Sequence, residues 1–325
     1  MLHIDPKEKP VTEVFDYLLG GVAPRPIALV STVSAEGLPN LAPFSFYNAF
    51  GGNPPTIAFS PSRRRRDAST KDTYHNLLAT KECVVQAVTY EISQQVNLAS
   101  GEYEAGVDEF ARSGLTPVPS DIVKPARVAE SPFQMECVLK QIVDLGDGPG
   151  SGNLSICEVV RFHIEERLFD DTGVINPQLI DLVGRNSARY WTRAHGDAII
   201  TIPKPLGPDG IGWDGLPEYV RASEVLTAND LGRMANFARV PTDDEVRAFT
   251  KTLAPFDADQ SAVKKLMKRG EYETIFSVAL AHSKAKKADA AELMEEAAAL
   301  AVHNEAIDFA WKAVVASNLT RQGNL

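Results

Sequence analysis

The sequence predicts a mainly β fold, a closed or partly closed antiparallel barrel, with a helical C-terminal extension. Three observations carry this. Residues 25 to 169 divide into many short apolar runs separated by Gly- and Pro-rich turns, with few helical stretches between them. No Gly-x-Gly-x-x-Gly follows any of these runs, so a separate doubly wound nucleotide domain is not indicated. After a Pro- and Gly-rich linker, Pro203 to Gly210, the texture turns to alanine-rich helix. The division this implies is a barrel domain over 1–205 and a helical extension over 206–325.

The elements follow in order. Residues 11 to 20 form a short amphipathic piece leading to Gly20-Gly21. Arg25 to Val33 reads as a strand, with Ile27, Leu29 and Val33 on one parity and Ala28, Val30 and Thr32 on the other. Both faces are largely apolar, so this strand is expected to be buried on both sides. Ala35-Glu36-Gly37 is a turn, since glycine takes a positive φ without steric penalty. A second strand is expected over Asn40 to Asn48 and a third over Thr56 to Ser60.

Then the chemistry changes abruptly, to Arg63-Arg64-Arg65-Arg66 and Lys71-Asp72-Thr73. The preceding strands carry Ser45, Asn48 and Ser60, so small polar side chains end at a cluster of cations. Such a surface suits a planar aromatic ligand with a phosphate tail. The ring would lie along Phe44 to Tyr47, and the phosphate would meet arginine forks and the lysine point charge. Asp72 to Thr80 has helical spacing, which places Lys71-Asp72-Thr73 at a helix start, where free N–H groups favour an anion. Asp72 or Thr73 serves equally as a helix cap there.

Farther on, Cys83 to Thr89 reads as a strand, and Glu91 to Ser100 and Glu102 to Gly114 as helices. Phe133 to Leu145 and Leu154 to Phe169 read as two long strands. The glycine-rich stretch between them, Gly146 to Gly152, lacks a following Gly-Lys-Ser/Thr and is expected to be a hairpin loop, not a phosphate loop. In the extension, Thr242 to Glu245 matches a capping box, and helices are expected over 259–268, 271–283 and 288–317.

Charge and composition exclude several classes. At net charge −10 the chain is a poor nonspecific nucleic-acid binder. No apolar run approaches a membrane span, and Met1 to Pro10 lacks an apolar signal region, so a cytoplasmic location is expected. The three cysteines, Cys83, Cys137 and Cys157, are odd in number, form no Cys-x-x-Cys pair and sit in apolar runs, as buried reduced thiols do. His163-x-Glu165 on a strand puts two metal-ligating types on one face, but no Cys or His stands at ligand spacing elsewhere, and no metal is expected. No Gly-x-Ser-x-Gly elbow indicates a hydrolase.

Arg-Pro-Ile-Ala-Leu-Val-Ser-Thr, then Asn-Leu-Ala-Pro-Phe-Ser-Phe, Asn-Pro-Pro-Thr-Ile-Ala-Phe-Ser and Lys-Asp-Thr together resemble the flavin reductase-like family with its FMN-binding split β-barrel. The resemblance covers about residues 10 to 205 and leaves the extension aside. It implies noncovalent FMN, with FAD as the variant, NAD(P)H as co-substrate, and a homodimer with flavin near the subunit boundary. Asn40, Ala42, Pro43, Ser45, Tyr47 and Asn48 match the strand along the ring and ribityl chain. Ser60 matches the ribityl or phosphate side. Arg25, Lys71, Asp72 and Thr73 match phosphate-side positions, and Arg65 stands for the arginine run as a further phosphate contact. Arg185 and Tyr190 match a late family segment, but Asn186-Ser187 replaces its usual Gly-Gly pair, leaving a site role and a packing role both open.

The function this implies is an FMN-dependent NAD(P)H:flavin oxidoreductase that passes electrons to a small-molecule acceptor or a partner monooxygenase. No general acid–base pair is conspicuous, as expected where the cofactor carries the redox chemistry. The alternatives are a non-enzymatic flavin carrier and an interaction protein acting through the helical extension.

Overall fold

The computed structural model describes residues 1–104 and 106–325. The chain divides into two units, Met1–Thr201 and Ile202–Leu325. Among the described residues no helix is long and apolar enough to cross a membrane.

In the first unit, α1 (Val11–Gly21) precedes β1 (Ala28–Val33), β2 (Pro39–Phe44), β3 (Tyr47–Gly52) and β4 (Pro55–Phe59). Next come α2 (Asp72–Thr80), β5 (Glu82–Ala87), α3 (Ser93–Ala99) and α4 (Glu109–Ser113). The short strands β6 (Pro117–Val118) and β7 (Arg127–Val128) lead to the long hairpin β8 (Phe133–Asp144) and β9 (Asn153–Ile164). Then α5 (Pro177–Ile180), β10 (Val183–Arg185) and β11 (Trp191–Arg193) close the unit.

Seven strands form one antiparallel sheet in the order β2-β1-β5-β8-β9-β4-β3. Its two edge strands are neighbours in sequence, joined only by Ser45 and Phe46. A flat sheet of seven strands is about 28 Å across, six spacings of about 4.7 Å. The three Cα steps from Phe44 to Tyr47 reach at most about 11 Å. The sheet therefore curls until its edges approach, and it stops short of closure: among the described residues β2 and β3 do not pair. The expected single strand over Asn40 to Asn48 is thus two strands, broken at Ser45 where the chain passes from one edge to the other. The barrel is open rather than closed. Helix takes 38% of the whole chain and strand 21%, so "mainly β" describes the sheet unit and not the chain.

The alternation of β1 feeds two cores. Ala28 and Val30 join Phe44, Phe59, Cys83, Val85, Cys137 and Cys157 inside the curled sheet. Ile27 and Leu29 join Leu41, Ile92, Val96 and Phe110 on the outer face, beneath α3 and α4. All three cysteines are free and fully buried. Cys83 beside it, together with burial, holds the Cys157 thiol well above its usual range. Gly146 to Gly152 is the loop of the β8–β9 hairpin.

Two expected elements, a helix and a strand, shorten. Of Glu102 to Gly114 only Glu109–Ser113 is helical, because the Asp108 carboxylate accepts from the Phe110 N–H at 2.9 Å and starts the helix there; Ala105 lies outside the described residues. The strand expected over Leu154 to Phe169 ends at Ile164.

The second unit is helical: α6 (Glu218–Arg221), α7 (Ala228–Ala235), α8 (Asp243–Thr252), α9 (Gln260–Arg269), α10 (Tyr272–Lys284), α11 (Ala290–His303) and α12 (Ile307–Arg321). Thr242 and Glu245 form the capping box read from the sequence. The single helix expected over 288–317 is two, because the Asn304 amide turns back onto the Leu300 carbonyl at 2.8 Å and Glu305 takes a φ of 62°. The core gathers Phe276, Met294, Trp311 and Val314, and the Trp311 indole donates to the Met234 carbonyl at 3.1 Å. Buried Glu295 is satisfied by Ser223 at 2.6 Å, Ser317 at 3.0 Å and Arg321 at 2.5 Å.

Candidate functional site

The candidate site forms where the loop from Pro61 to Thr70 delivers the chain to the start of α2. Asn40 of β2 donates through Nδ2 to Thr73 Oγ1 at 3.0 Å and to Thr32 Oγ1 at 3.2 Å. Asn76, one turn into α2, donates to the same Thr32 hydroxyl at 3.0 Å. This buried network holds the first turn of α2 against β1 and β2. Asp72 opens the helix and Lys71 is its N-cap residue, with extended backbone and no side-chain capping bond.

Lys71 Nζ stands 5.2 Å above the centre of the Phe44 ring. Among the described residues it makes no hydrogen bond or ion pair. Burial pushes its pKa down, the nearby Arg64 charge adds to this, and Glu102 opposes it. An ammonium so placed is electrostatically uncompensated, and an arriving anion relieves it.

The arginine run splits by direction. Arg64 Nη1 donates to the Thr70 carbonyl at 2.6 Å and to Ser69 Oγ at 3.3 Å, which folds the loop back on itself. Arg63 donates from Nη1 to the Ala68 carbonyl at 3.1 Å, while its Nε is buried without a partner. Ser62 Oγ and Asn153 Oδ1 are likewise buried and unpartnered. Ser62 and Arg63 lie on this loop and Asn153 at the start of β9, and the two segments meet where the Asn153 amide donates to the Pro61 carbonyl at 2.9 Å. Arg65 turns away, its guanidinium 5.3 Å over the Phe15 ring of α1. Arg66 is exposed and pairs with Asp67 at 3.0 Å and Glu102 at 3.5 Å.

The remaining residues singled out in the sequence fall in distinct places. Ala42 packs on the inner core beside Phe44. Pro43 and Ser45 line a cleft of about 200 Å³ with Asn97, Arg185 and Trp191. Tyr47, Asn48 and Ser60 line a cavity of about 380 Å³ with Phe15, Phe46 and Ser62. Burial pushes the Tyr47 phenol up to about 12, with Cys137 adding, so it stays protonated. Ser60 Oγ accepts from the Asn153 N–H at 3.0 Å. A cavity of about 610 Å³, mostly apolar, lies along Ile27, Phe133, Met135 and Ile180, with Tyr47 and Asn48 at its side. Lys71 is not part of it, so the volume and the uncompensated charge are separate features.

Arg25 stands apart from the other positions expected on the phosphate side. Its guanidinium is nearly fully buried and donates to the carbonyls of Leu19 at 2.7 Å, Val22 at 2.6 Å and Asn186 at 3.0 Å, with Ser45 Oγ at 3.4 Å. These contacts tie the end of α1 and the segment after β10 to the sheet. The side chain is not grouped with Lys71. Sequence reasoning also missed Glu109, whose carboxylate accepts from the Leu41 N–H at 3.1 Å and so caps the open edge of β2. Nothing in the local sequence marks that pairing. Asn76 was legible in principle, since a helical turn places it on the Thr73 face. His163 meets buried Glu136 at 2.6 Å, with Asp121 near, while Glu165 pairs with Arg167. Glu136 also accepts from the N–H groups of Asp121, Ile122 and Val123, so it serves as an anchor for that loop.

Comparison with known proteins bears on this arrangement. The family model described as flavin reductase like domain matches residues 20–182, all within the first unit. An uncharacterized protein of Aquifex aeolicus (strain VF5) is 34% identical over 196 residues, which is 60% of this chain and 97% of that protein. The structure of nitrilotriacetate monooxygenase component B from Bacillus cereus superposes with a TM-score of 0.56 at 31% identity, covering 59% of this chain and 95% of that one. The 2-nitrobenzoate 2-nitroreductase of Pseudomonas fluorescens superposes with a TM-score of 0.55 at 27% identity, covering 64% and 100%.

Proposed function

The chain belongs to the flavin reductase-like family, and on that premise we propose that it is an FMN-dependent oxidoreductase that takes hydride from NAD(P)H and passes electrons to an acceptor. The observation that carries this reading is the half-buried Lys71 ammonium at the start of α2, which has no hydrogen-bond or ion-pair partner among the described residues. A phosphate there receives the lysine charge, the free N–H groups of the first helical turn and the positive end of the helix. Ser62 Oγ and Arg63 Nε, buried without partners, lie on the loop that leads to this helix start. The residues present therefore fit a phosphorylated ligand.

When bound, FMN supplies the hydride acceptance and release. The protein supplies position. Asp72 and Thr73 contribute backbone N–H groups beside Lys71, and Asn40 acts by holding that turn in place. The bend from Pro43 to Asn48 offers backbone donors and the Tyr47 phenol along the ring and ribityl chain. FAD carries the same ring and first phosphate and competes for the same contacts. The function resides in residues 1–205.

Two acceptor classes follow from the solved relatives. One is a component of a monooxygenase, which supports a partner oxygenase here; the other is a nitroreductase, which supports a small nitroaromatic. A homodimer is part of the proposal. Phe50, Val160 and Phe162 are large apolar side chains left exposed on β3 and β9, and pairing of two copies over such a surface removes them from water.

The test is the absorption spectrum of purified protein mixed with FMN, followed by one addition of NADH or NADPH under argon. Bleaching of a bound flavin band, and steady NAD(P)H oxidation once an acceptor is added, are the expected results. Bound flavin that neither nucleotide bleaches would make the protein a carrier and end the enzymatic reading.

A further inference from the structure

One groove of the first unit collects cations, aromatic rings and free amides that nothing above employs. The cleft bounded by Pro43 and Ser45 shares Asn97, Arg185 and Trp191 with a groove of about 500 Å³. That groove continues to Tyr90, Gln94, Arg189 and Tyr190. It thus starts at the strand end proposed to carry the flavin ring and ends at an arginine-rich rim.

The three arginines of this rim are engaged to different degrees. Arg193 is committed: Nε and Nη2 donate to the two Asp181 oxygens at 2.7 Å each, and its guanidinium lies 4.0 Å over the Tyr90 ring. That pairing neutralises the carboxylate at the groove. Arg185 is partly engaged, 5.3 Å over the Trp191 ring with Nη2 donating to the Ala188 carbonyl at 3.0 Å. Arg189 is exposed and has no hydrogen bond or ion pair among the described residues. The side-chain amides of Gln94 and Asn97 on α3 are also unengaged among the described residues, and the Tyr190 ring is 68% exposed, free to receive a flat ligand.

We infer that this groove holds the adenosine half of a nicotinamide dinucleotide, and that Arg189 with Arg185 grips a phosphate on its ribose, so that the hydride donor is NADPH rather than NADH. The inference rests on the reading that a dinucleotide reduces the bound flavin. The nicotinamide must reach the flavin ring, and the other half of the molecule must leave along an open path. The path on offer presents aromatic faces for adenine and guanidinium forks for phosphate. A 2′-phosphate is doubly charged or nearly so, and the 2′-hydroxyl of NADH is neutral. An arginine without a carboxylate partner distinguishes the two. With flavin and dinucleotide bound, the breaking nicotinamide C4–H bond would supply a hydride to oxidised flavin, solvent would supply the accompanying proton, and NADP⁺ would leave.

The experiment uses the flavin-loaded full chain. Adenosine 2′,5′-bisphosphate and 5′-AMP are titrated calorimetrically into wild type, Arg189→Gln and Arg185→Gln, and kcat/KM is measured for NADPH and NADH. One charge-assisted hydrogen bond to phosphate is worth on the order of tenfold in affinity. The bisphosphate should bind wild type about that much more tightly than 5′-AMP. Arg189→Gln should erase most of this advantage and lower the NADPH-to-NADH ratio of kcat/KM by a similar factor. Equal binding of the two ligands by wild type, or an unchanged ratio in Arg189→Gln, overturns the assignment. Discrimination between the two ligands with no bleaching by either dinucleotide would keep the groove and sink the oxidoreductase reading. Bleaching by both with no discrimination would sink the groove alone.

Discussion

Asn40 Nδ2 lies 3.0 Å from Thr73 Oγ1, so an edge strand of the sheet fixes the first turn of the helix that follows it 33 residues later. The same amide reaches Thr32, which makes Asn40 the common point of β1, β2 and α2. Its amide hydrogens are spent on protein, so its effect on a ligand is exerted through the position of the helix start. Asn40→Ala should lower stability by about 1–3 kcal/mol, the cost of leaving buried hydroxyls unpaired. Urea unfolding of wild type and variant measures this, and an unchanged midpoint would show the network to be dispensable.

Lys71→Ala should weaken FMN binding by roughly ten- to a hundredfold, the loss of about 1.5–3 kcal/mol of charge-assisted bonding. Riboflavin, which lacks the phosphate, should bind almost as before. Titration of both into apoprotein decides the matter. Equal weakening of the two would move Lys71 from the phosphate to the ring, where its contact with Phe44 already places it nearby.

Arg25→Leu is the contrasting case. It strips the carbonyls of Leu19, Val22 and Asn186 of their donor, so the end of α1 should loosen. Limited proteolysis should cut within residues 1–24 sooner than in wild type. FMN and riboflavin should weaken together if they weaken at all. A selective loss of FMN would restore Arg25 to the phosphate.

How much was legible follows from the range of each interaction. The start of α2 at Asp72 and the capping box at Thr242 and Glu245 were legible because a cap and its helix lie within four residues. The break at Ser45 was not, because Asn40 to Asn48 is one continuous run of small and apolar residues. Only the pairing of β2 with β1 and of β3 with β4, on opposite edges, divides it. Arg25 was visible as a cation near a promising motif. Its acceptors are backbone carbonyls, which every residue type carries, so no residue identity announces them. Glu109 reaches Leu41 across 68 residues, and such a pairing leaves no periodic trace. Lys71 was legible as a cation at a helix start because the two are adjacent in sequence, which needs no tertiary knowledge.

Glu136 sets an acid limit on the fold. Burial pushes its carboxyl up, but the N–H groups of Asp121, Val123 and Ile122 with the His163 ring outweigh that and hold it at about 2. The unfolded chain therefore binds a proton that the folded chain refuses between about pH 4.5 and pH 2. The stabilisation is fully present above the unfolded value and is lost as pH falls through that window. Its size is up to about 3.5 kcal/mol, from the fall of the carboxyl's pKa from 4.5 to about 2 at about 1.4 kcal/mol per pH unit. Urea midpoints measured from pH 7 down to pH 3 should fall steeply below pH 4.5 in wild type and more gently in Glu136→Gln. Parallel profiles would show that other carboxylates set the limit.

Cys83, Cys137 and Cys157 have no surface at all in the folded protein. A water-soluble thiol reagent added to intact protein finds nothing to attack, and its reaction must wait until the sheet comes apart. The three side chains thus make an unlabelled clock for opening of the barrel. A ligand that binds only the folded sheet slows that clock by the factor 1 + [L]/Kd when refolding is fast. Flavin affinity can therefore be read from the lag in thiol modification, in the dark and without following the colour of the cofactor.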